Sequence, residues 1–469
     1  MALRASERVW RTTAIVMCAA VPAGFYVLGD LTDAFPGVLT VRADRESPAA
    51  GPPALAEEWE RVAIDDGGPG AGVPPPAIAE GDLQERMDAT AELPVVSGGL
   101  AYSVVEAGSG EVIASRDPDT PRVPASTLKL LTAAAVLRQY TGQEVLVTRA
   151  AVQDGVVTLV SGGDMTLSEE DLRALAESAA ALAAEQGTEE VSVVLDDSLI
   201  EGGQNPAWGN NGTAGGWVTP TASLALDRGW LDGEQYGPKS VDPAGDAARR
   251  FAQLLGDVGL TVRGEVTEGT APPGAASTEI HSEPLEEIVR ETLQISDNTL
   301  AELLAHLVAL SRGEATTPQS AAAAVEAEIR ALGAELGVAE EDLAGLEIHD
   351  GSGLSRENRV PPALLAAVLA EVSSGEEPAL EPILFDVPVA GLSGTLAERF
   401  DAAETEDARG LVRGKTGYLG GAATLAGVAV LPSGETVGYS IVVHGFDGAD
   451  ADAARAAVDR AASEIVEVD

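Results

Sequence analysis

The feature that most limits how this chain can fold is the distance between its strand-like ends, which a long and self-contained middle keeps apart. Two strand-like runs, 101–106 and 112–115, are joined through Gly108-Ser109-Gly110 and have the composition of a hairpin. Three more, 411–418, 423–431 and 436–443, stand near the other end, the last two joined at Pro432-Ser433-Gly434, with a helix expected over 451–466. A helix is expected from Ser126 to about Tyr140, because Leu130, Ala133, Ala134 and Leu137 recur at helical spacing, and a second helical block over 288–310. Between these two blocks, strand-like 145–150, 156–160 and 191–195 alternate with a helix over 169–186 and a turn at Gly162-Gly163-Asp164. Such alternation builds a layer of its own, so residues 146–284 read as an inserted lobe, and 94–145 with 285–469 as the main domain. A chain of 469 residues at 45% hydrophobic composition is long enough to bury both cores.

The first 93 residues read differently. Arg4, Arg8 and Arg11 precede an apolar stretch over 14–28, the order of charge and hydrophobicity found in export signals, so residues 1–30 are expected to be a signal peptide or a signal anchor. Residues 31–93, with Pro52-Pro53 and Pro74-Pro75-Pro76, have the composition of a spacer. The protein is therefore expected to be exported, touching a membrane only through that first segment. Cys18 is the single cysteine, which excludes an intrachain disulfide and a thiolate cluster. A net charge of −46 repels a nucleic-acid backbone and argues against that class of partner.

Lysine is the informative letter. Of 29 basic residues only Lys129, Lys239 and Lys415 are lysine, so arginine serves nearly everywhere a surface charge suffices. A guanidinium does not deprotonate inside a protein, whereas a desolvated ammonium does. Two of the three lysines stand in short polar motifs. Ser126-Thr127-Leu128-Lys129 opens an apolar helix, where residues three apart share a face, so the hydroxyl and the amine can meet as nucleophile and base. The plain alternative is a helix cap beside a solvated lysine. Ser296-Asp297-Asn298 precedes a helical run and reads either as a cap or as a hydroxyl and a carboxamide offered to the same cleft. Lys415-Thr416-Gly417 lies on a strand, where Gly417 would let a substrate backbone approach the edge; the alternative is a charged edge that discourages aggregation.

Together, in this order and on these elements, the three motifs resemble the signature of active-site serine penicillin-binding proteins and class A β-lactamases. The finer resemblance is to the low-molecular-mass class C penicillin-binding proteins, a D-alanyl-D-alanine carboxypeptidase/endopeptidase family. It is carried by the 166 residues separating Lys129 from Ser296, by His349-Asp350-Gly351-Ser352-Gly353-Leu354-Ser355-Arg356, and by Pro388-Val389-Ala390-Gly391 followed by Gly394-Thr395-Leu396. It covers the chain from about Gly98 onward. The resemblance implies an α/β (α+β) fold, a transpeptidase-like domain with an antiparallel sheet flanked by helices.

It also implies the roles. Ser126 would attack a D-Ala-D-Ala peptide of the peptidoglycan stem while Lys129, neutral, takes its proton. The backbone N–H groups of Ser126 and Tyr418 would form the oxyanion hole, Ser296 would relay a proton to the leaving nitrogen, and Asn298 would fix Lys129 and a substrate amide. Lys415 and Thr416 would grip the terminal carboxylate. No metal or cofactor is expected, and β-lactams should acylate Ser126. Tyr418 stands where that family places a small hydroxyl residue. A β-lactamase and a noncatalytic wall-binding protein are the rival readings; the first lacks a Glu-x-x-Leu-Asn string after Ser296. His281, His306 and His349 with Glu302 do not make a Ser-His-acid triad, since no Gly-x-Ser-x-Gly elbow is present. His349-Asp350 instead reads as support for the turn at Gly351-Ser352-Gly353.

Overall fold

A computed structural model describes residues 80–233 and 237–467, and the expected export signal lies outside them. Among the described residues, no helix is long and apolar enough to cross a membrane. The spacer expected up to residue 93 ends sooner than its composition suggests, because Glu80–Thr90 is a helix. Leu83 and Met87, one turn apart in an otherwise polar stretch, are both fully buried, with Tyr102 and the C-terminal helix in the same core. Two well-placed apolar residues are enough to dock a helix that has little amphipathic pattern of its own.

The strand-like ends do meet. Arg413–Tyr418, Ala422–Val430, Thr436–His444, Leu100–Glu106 and Val112–Arg116 lie side by side in that order as one antiparallel sheet. Its central strands are buried almost throughout, because helices cover both faces: Glu80–Thr90 and Ala451–Val466 on one, Pro362–Ser374 on the other. Gly438 lets the second of these sit directly on the sheet. A Cβ there would lie 2.2 Å from the Ala370 nitrogen and 2.5 Å from the Ala366 oxygen. Behind Pro362–Ser374, the helices Leu128–Gln139, Leu285–Gln294, Asn298–Ser311 and Pro318–Glu335 share one large aliphatic core.

The middle of the chain builds a six-stranded sheet with its own core. Ala276–Pro284, Val145–Gln153 and Val156–Val160 run antiparallel; Glu190–Asp196 then joins parallel, flanked by the short strands Thr261–Val262 and Thr267–Glu268. The helices Glu169–Glu185 and Pro243–Asp257 cover it through Leu172, Leu175, Phe251 and Leu254. The fold is thus α+β, with an antiparallel sheet in the main part and a mixed sheet in the inserted one.

Candidate active site

Two backbone strains bracket the site. Ala125 (φ 47°) and Ser296 (φ 61°) are non-glycine residues in the left-handed region, a conformation that costs about 1–3 kcal/mol and persists only where the surroundings impose it. After Ala125 the chain makes a single 3-10 turn, Ala125–Thr127, and passes into Leu128–Gln139, so Ser126 sits on the turn that leads into the helix. The helical block expected over 288–310 is two helices, Leu285–Gln294 and Asn298–Ser311, broken at Ser296. Asp297 caps the second, accepting from the Leu300 nitrogen at 2.9 Å, so the capping reading of Ser-Asp-Asn holds for its middle residue while its neighbours face the site.

Lys129 is fully buried, and its Nζ is within hydrogen-bond reach of three oxygens: Ser126 Oγ at 3.1 Å, Asn298 Oδ1 at 2.8 Å and the Ser352 carbonyl at 2.7 Å. Asn298 Oδ1 and the Ser352 carbonyl oxygen can only accept, so they take two of the amine's hydrogens. In neutral Lys129 the remaining lone pair faces the Ser126 hydroxyl, the orientation needed to take its proton. Burial pushes the Lys129 ammonium down to about 8, against the opposing pull of the carboxylates of Asp350, Asp297 and Glu302.

The Ser352 carbonyl is held in turn. The carboxylate of Glu302 accepts from the Gly351 nitrogen at 3.2 Å, the Ser352 nitrogen at 3.0 Å and Trp208 Nε1 at 3.2 Å. Asp350 accepts from the Gly353 nitrogen at 2.9 Å, the Ser355 nitrogen at 2.6 Å and Asn358 Nδ2 at 2.8 Å. Thr132 donates to the Gly351 carbonyl at 2.7 Å, tying the loop to the Ser126 helix. His349-Asp350 does support this turn, as its sequence suggests. Glu302 and the Ser352 carbonyl were not legible as site groups. One signal for Glu302 was available, since it lies four residues after Asn298 and so on the same helix face. Burial and the Asp350 charge push Glu302 up to about 7, and burial raises Asp350 as well.

Lys415-Thr416-Gly417 lies on the edge strand. Pairing of the Gly414 nitrogen with the Pro388 carbonyl at 2.9 Å covers the strand's beginning, so its uncovered edge runs from Lys415 onward. Gly417 has a further reason to be glycine, which the sequence does not show. A Cβ there would meet Thr424 Oγ1 at 2.1 Å and both the Pro124 oxygen and the Ser126 nitrogen at 3.0 Å, so it lets the strand lie against the Ser126 turn itself. Thr424 Oγ1 fastens the same turn, donating to the Pro124 carbonyl at 2.9 Å. Lys415 is fully buried; its Nζ donates to the Thr416 carbonyl at 2.8 Å, and burial beside Lys129 and Arg399 holds it well below the usual lysine range. The Thr416 hydroxyl donates to that of Thr395 at 2.8 Å, which brings in the Gly394-Thr395-Leu396 stretch.

Ser126, Ser296, Asn298 and Tyr418 line one cleft of about 420 Å³, with Trp217, Leu354 and Arg356 contributed from elsewhere. Asn298 spends an amide hydrogen on the Trp217 carbonyl at 2.8 Å, a partner not expected from the sequence. The Tyr418 ring is over a third exposed and carries the Arg455 guanidinium on its face at 4.5 Å. His306 is buried and its Nδ1 donates to the Glu302 carbonyl at 2.8 Å, an internal helix contact.

A serine and a buried lysine paired at the mouth of a helical layer, beside the edge of an antiparallel sheet, make an arrangement suited to a serine peptidase. The chain matches the D-Ala-D-Ala carboxypeptidase 3 (S13) family over residues 83–240 and 232–465, and belongs to it. It is 33% identical over 374 residues to carboxypeptidase Rv3627c of Mycobacterium tuberculosis, covering 75% of this chain and 79% of that protein. It is 30% identical to the D-alanyl-D-alanine carboxypeptidase of Actinomadura sp. strain R39, covering 80% and 84% respectively. The crystal structure of penicillin binding protein 4 (dacB) from Haemophilus influenzae shares the fold, with a TM-score of 0.65 at 21% identity over 82% of this chain and 98% of that one.

Proposed function

We propose that this protein is a serine-type D-alanyl-D-alanine carboxypeptidase acting on peptidoglycan stem peptides outside the cytoplasm, with Ser126 as the acylated nucleophile. The observation that carries the reading is the triple coordination of the Lys129 amine: two obligate acceptors fix it and its third position faces Ser126 Oγ at 3.1 Å. Neutral Lys129 takes the Ser126 proton as the oxygen attacks the carbonyl of the penultimate residue. The N–H groups of Ser126 and Tyr418 receive the developing oxyanion, each such donor being worth about 10²–10³ in rate. Ser296, which lines the cleft, passes a proton to the leaving D-alanine nitrogen, and water then releases the acyl group by the reverse proton path. The Lys415–Thr416 edge binds the terminal carboxylate. Endopeptidase cleavage of a cross-linked peptide would use the same acyl-enzyme.

The same reading divides the chain into a peptidase part, 94–145 with 285–469, whose core the helix Glu80–Thr90 joins, and an inserted lobe over 146–284; the separate cores support that division. The test is to incubate the protein with a labelled penicillin, map the adduct by peptide mass and follow D-alanine release from a stem pentapeptide. A label on Ser126 together with D-alanine release is expected. A label on another residue overturns the site, and labelling without release overturns the activity in favour of a noncatalytic receptor.

A further inference from the structure

One cation in the Ser126 cleft comes from the far end of the chain and belongs to no motif. The helix Ala451–Val466 brings Arg455 to the cleft beside Tyr418, Leu419 and Gly420, and sets its guanidinium over the Tyr418 ring, 4.5 Å from the ring centre. Phe446 meets the same ring in a tilted contact, with centroids 6.3 Å apart. Arg399 fastens the helix at this point, donating to the Arg455 carbonyl at 3.2 Å and to the Asp459 carboxylate at 2.6 and 3.1 Å. The guanidinium is thus held at the cleft both by stacking and by the seating of its own backbone.

Position on the strand makes the placement informative. Thr416 and Tyr418 are two residues apart on Arg413–Tyr418, so their side chains leave the same face. The edge to which the terminal carboxylate is assigned therefore has two cations at hand, Lys415 and Arg455, and they differ in kind. Lys415 is fully buried and donates to the Thr416 carbonyl at 2.8 Å, and burial beside Lys129 and Arg399 holds it well below the usual lysine range, so its charge is costly to keep. A guanidinium does not deprotonate inside a protein, and one stacked on a ring keeps its edge of N–H groups free for a carboxylate. The ion-pair partner of Arg455 is Asp452 at 2.8 Å, three residues earlier on the helix, whose side chain is 97% exposed. An exposed pair of that kind contributes little, so a carboxylate better shielded from water can take the place of Asp452.

We propose that Arg455, seated on Tyr418, shares the terminal carboxylate of the leaving residue with Thr416 and Lys415, and so is a specificity residue for substrates that end in a free acid. This rests on the carboxypeptidase reading above, which assigns that carboxylate to the Lys415–Thr416 edge. The ring at position 418 then serves as a platform that carries a permanent charge to the carboxylate.

The experiment uses one stem pentapeptide ending in D-Ala-D-Ala, as its free acid and as its C-terminal carboxamide. Binding of each to the Ser126→Ala protein is measured by calorimetry, so the result stands whether or not the wild type turns the peptide over; penicillin labelling and D-alanine release by the wild type report separately on the carboxypeptidase reading. The acid is expected to bind about tenfold more tightly than the carboxamide, and adding Arg455→Gln should lower that ratio by about threefold or more while the carboxamide's affinity stays within about twofold. Arg455→Lys keeps the charge and should retain the larger part of the ratio. The proposal is overturned if the acid is not preferred, if Arg455→Gln leaves the ratio unchanged, or if it weakens acid and carboxamide equally, which is the behaviour of a residue that only braces Tyr418.

Discussion

If Lys129 is the base, the rate at which Ser126 is acylated follows the neutral fraction of a single amine. With that amine held at about 8, about one molecule in ten carries it neutral at pH 7 and about nine in ten at pH 9. Acylation should therefore rise about tenfold per pH unit at low pH and level off above 8. Glu302→Gln tests the cause of that midpoint. Glutamine keeps an oxygen in place to accept from the Gly351 and Ser352 nitrogens and from Trp208, and it removes a carboxylate that holds the Lys129 ammonium up. A nearby charge in a medium of effective dielectric near 20 is worth on the order of 1–2 kcal/mol, about one pH unit, and Glu302, itself raised to about 7, is only partly ionised below the midpoint. The expected shift is about half a unit to one unit downward. At pH 7 the variant should acylate about two- to fivefold faster than wild type, and at pH 10 at the same rate. The assay is the second-order rate constant for benzylpenicillin acylation between pH 6 and 10. A wild-type rate that is flat over that range, or a variant midpoint that stays or moves up, refutes the reasoning.

Gly417→Ala should abolish most acylation and lower the melting temperature, because the added methyl meets Thr424 and the Ser126 turn; overpacking of this kind costs about 1–3 kcal/mol, read by calorimetry beside penicillin labelling. Gly438→Ala should destabilise to a similar or greater degree while any folded fraction keeps the wild-type acylation midpoint, since the three atoms nearest its methyl all belong to the Pro362–Ser374 helix. Compared with a chain beginning at residue 80, one beginning at residue 94 loses the fully buried Leu83 and Met87 and should be several kcal/mol less stable, or fail to fold, in denaturant titration. Folding lowers the Lys129 pKa, so the unfolded chain binds more protons between pH 8 and 10.5; wild-type stability relative to Lys129→Met should rise across that window by up to about 3 kcal/mol.

How much of the site could be read in advance follows from how local each part is. Ser126 and Lys129 are legible because three residues on a helix fix their meeting. The strands over 436–443 and 156–160 are legible because alternation and apolar runs report burial directly. The helix Glu80–Thr90 is not, since its docking rests on two side chains whose pocket is built by the other end of the chain.

The sequence by itself determined which groups could do chemistry here: a scarce amine three residues from a hydroxyl, a carboxamide and a second amine in their own short motifs, and an order of motifs that matches one family. Only the tertiary structure decided what makes the first amine usable. Its third ligand is the carbonyl of Ser352, 223 residues away, and that carbonyl is held by Glu302 and Asp350, whose charges matter because all three groups are buried together. A main-chain oxygen leaves no letter in the sequence, and a pKa belongs to an environment rather than to a residue, so both had to wait for segments far apart in the chain to close around one nitrogen.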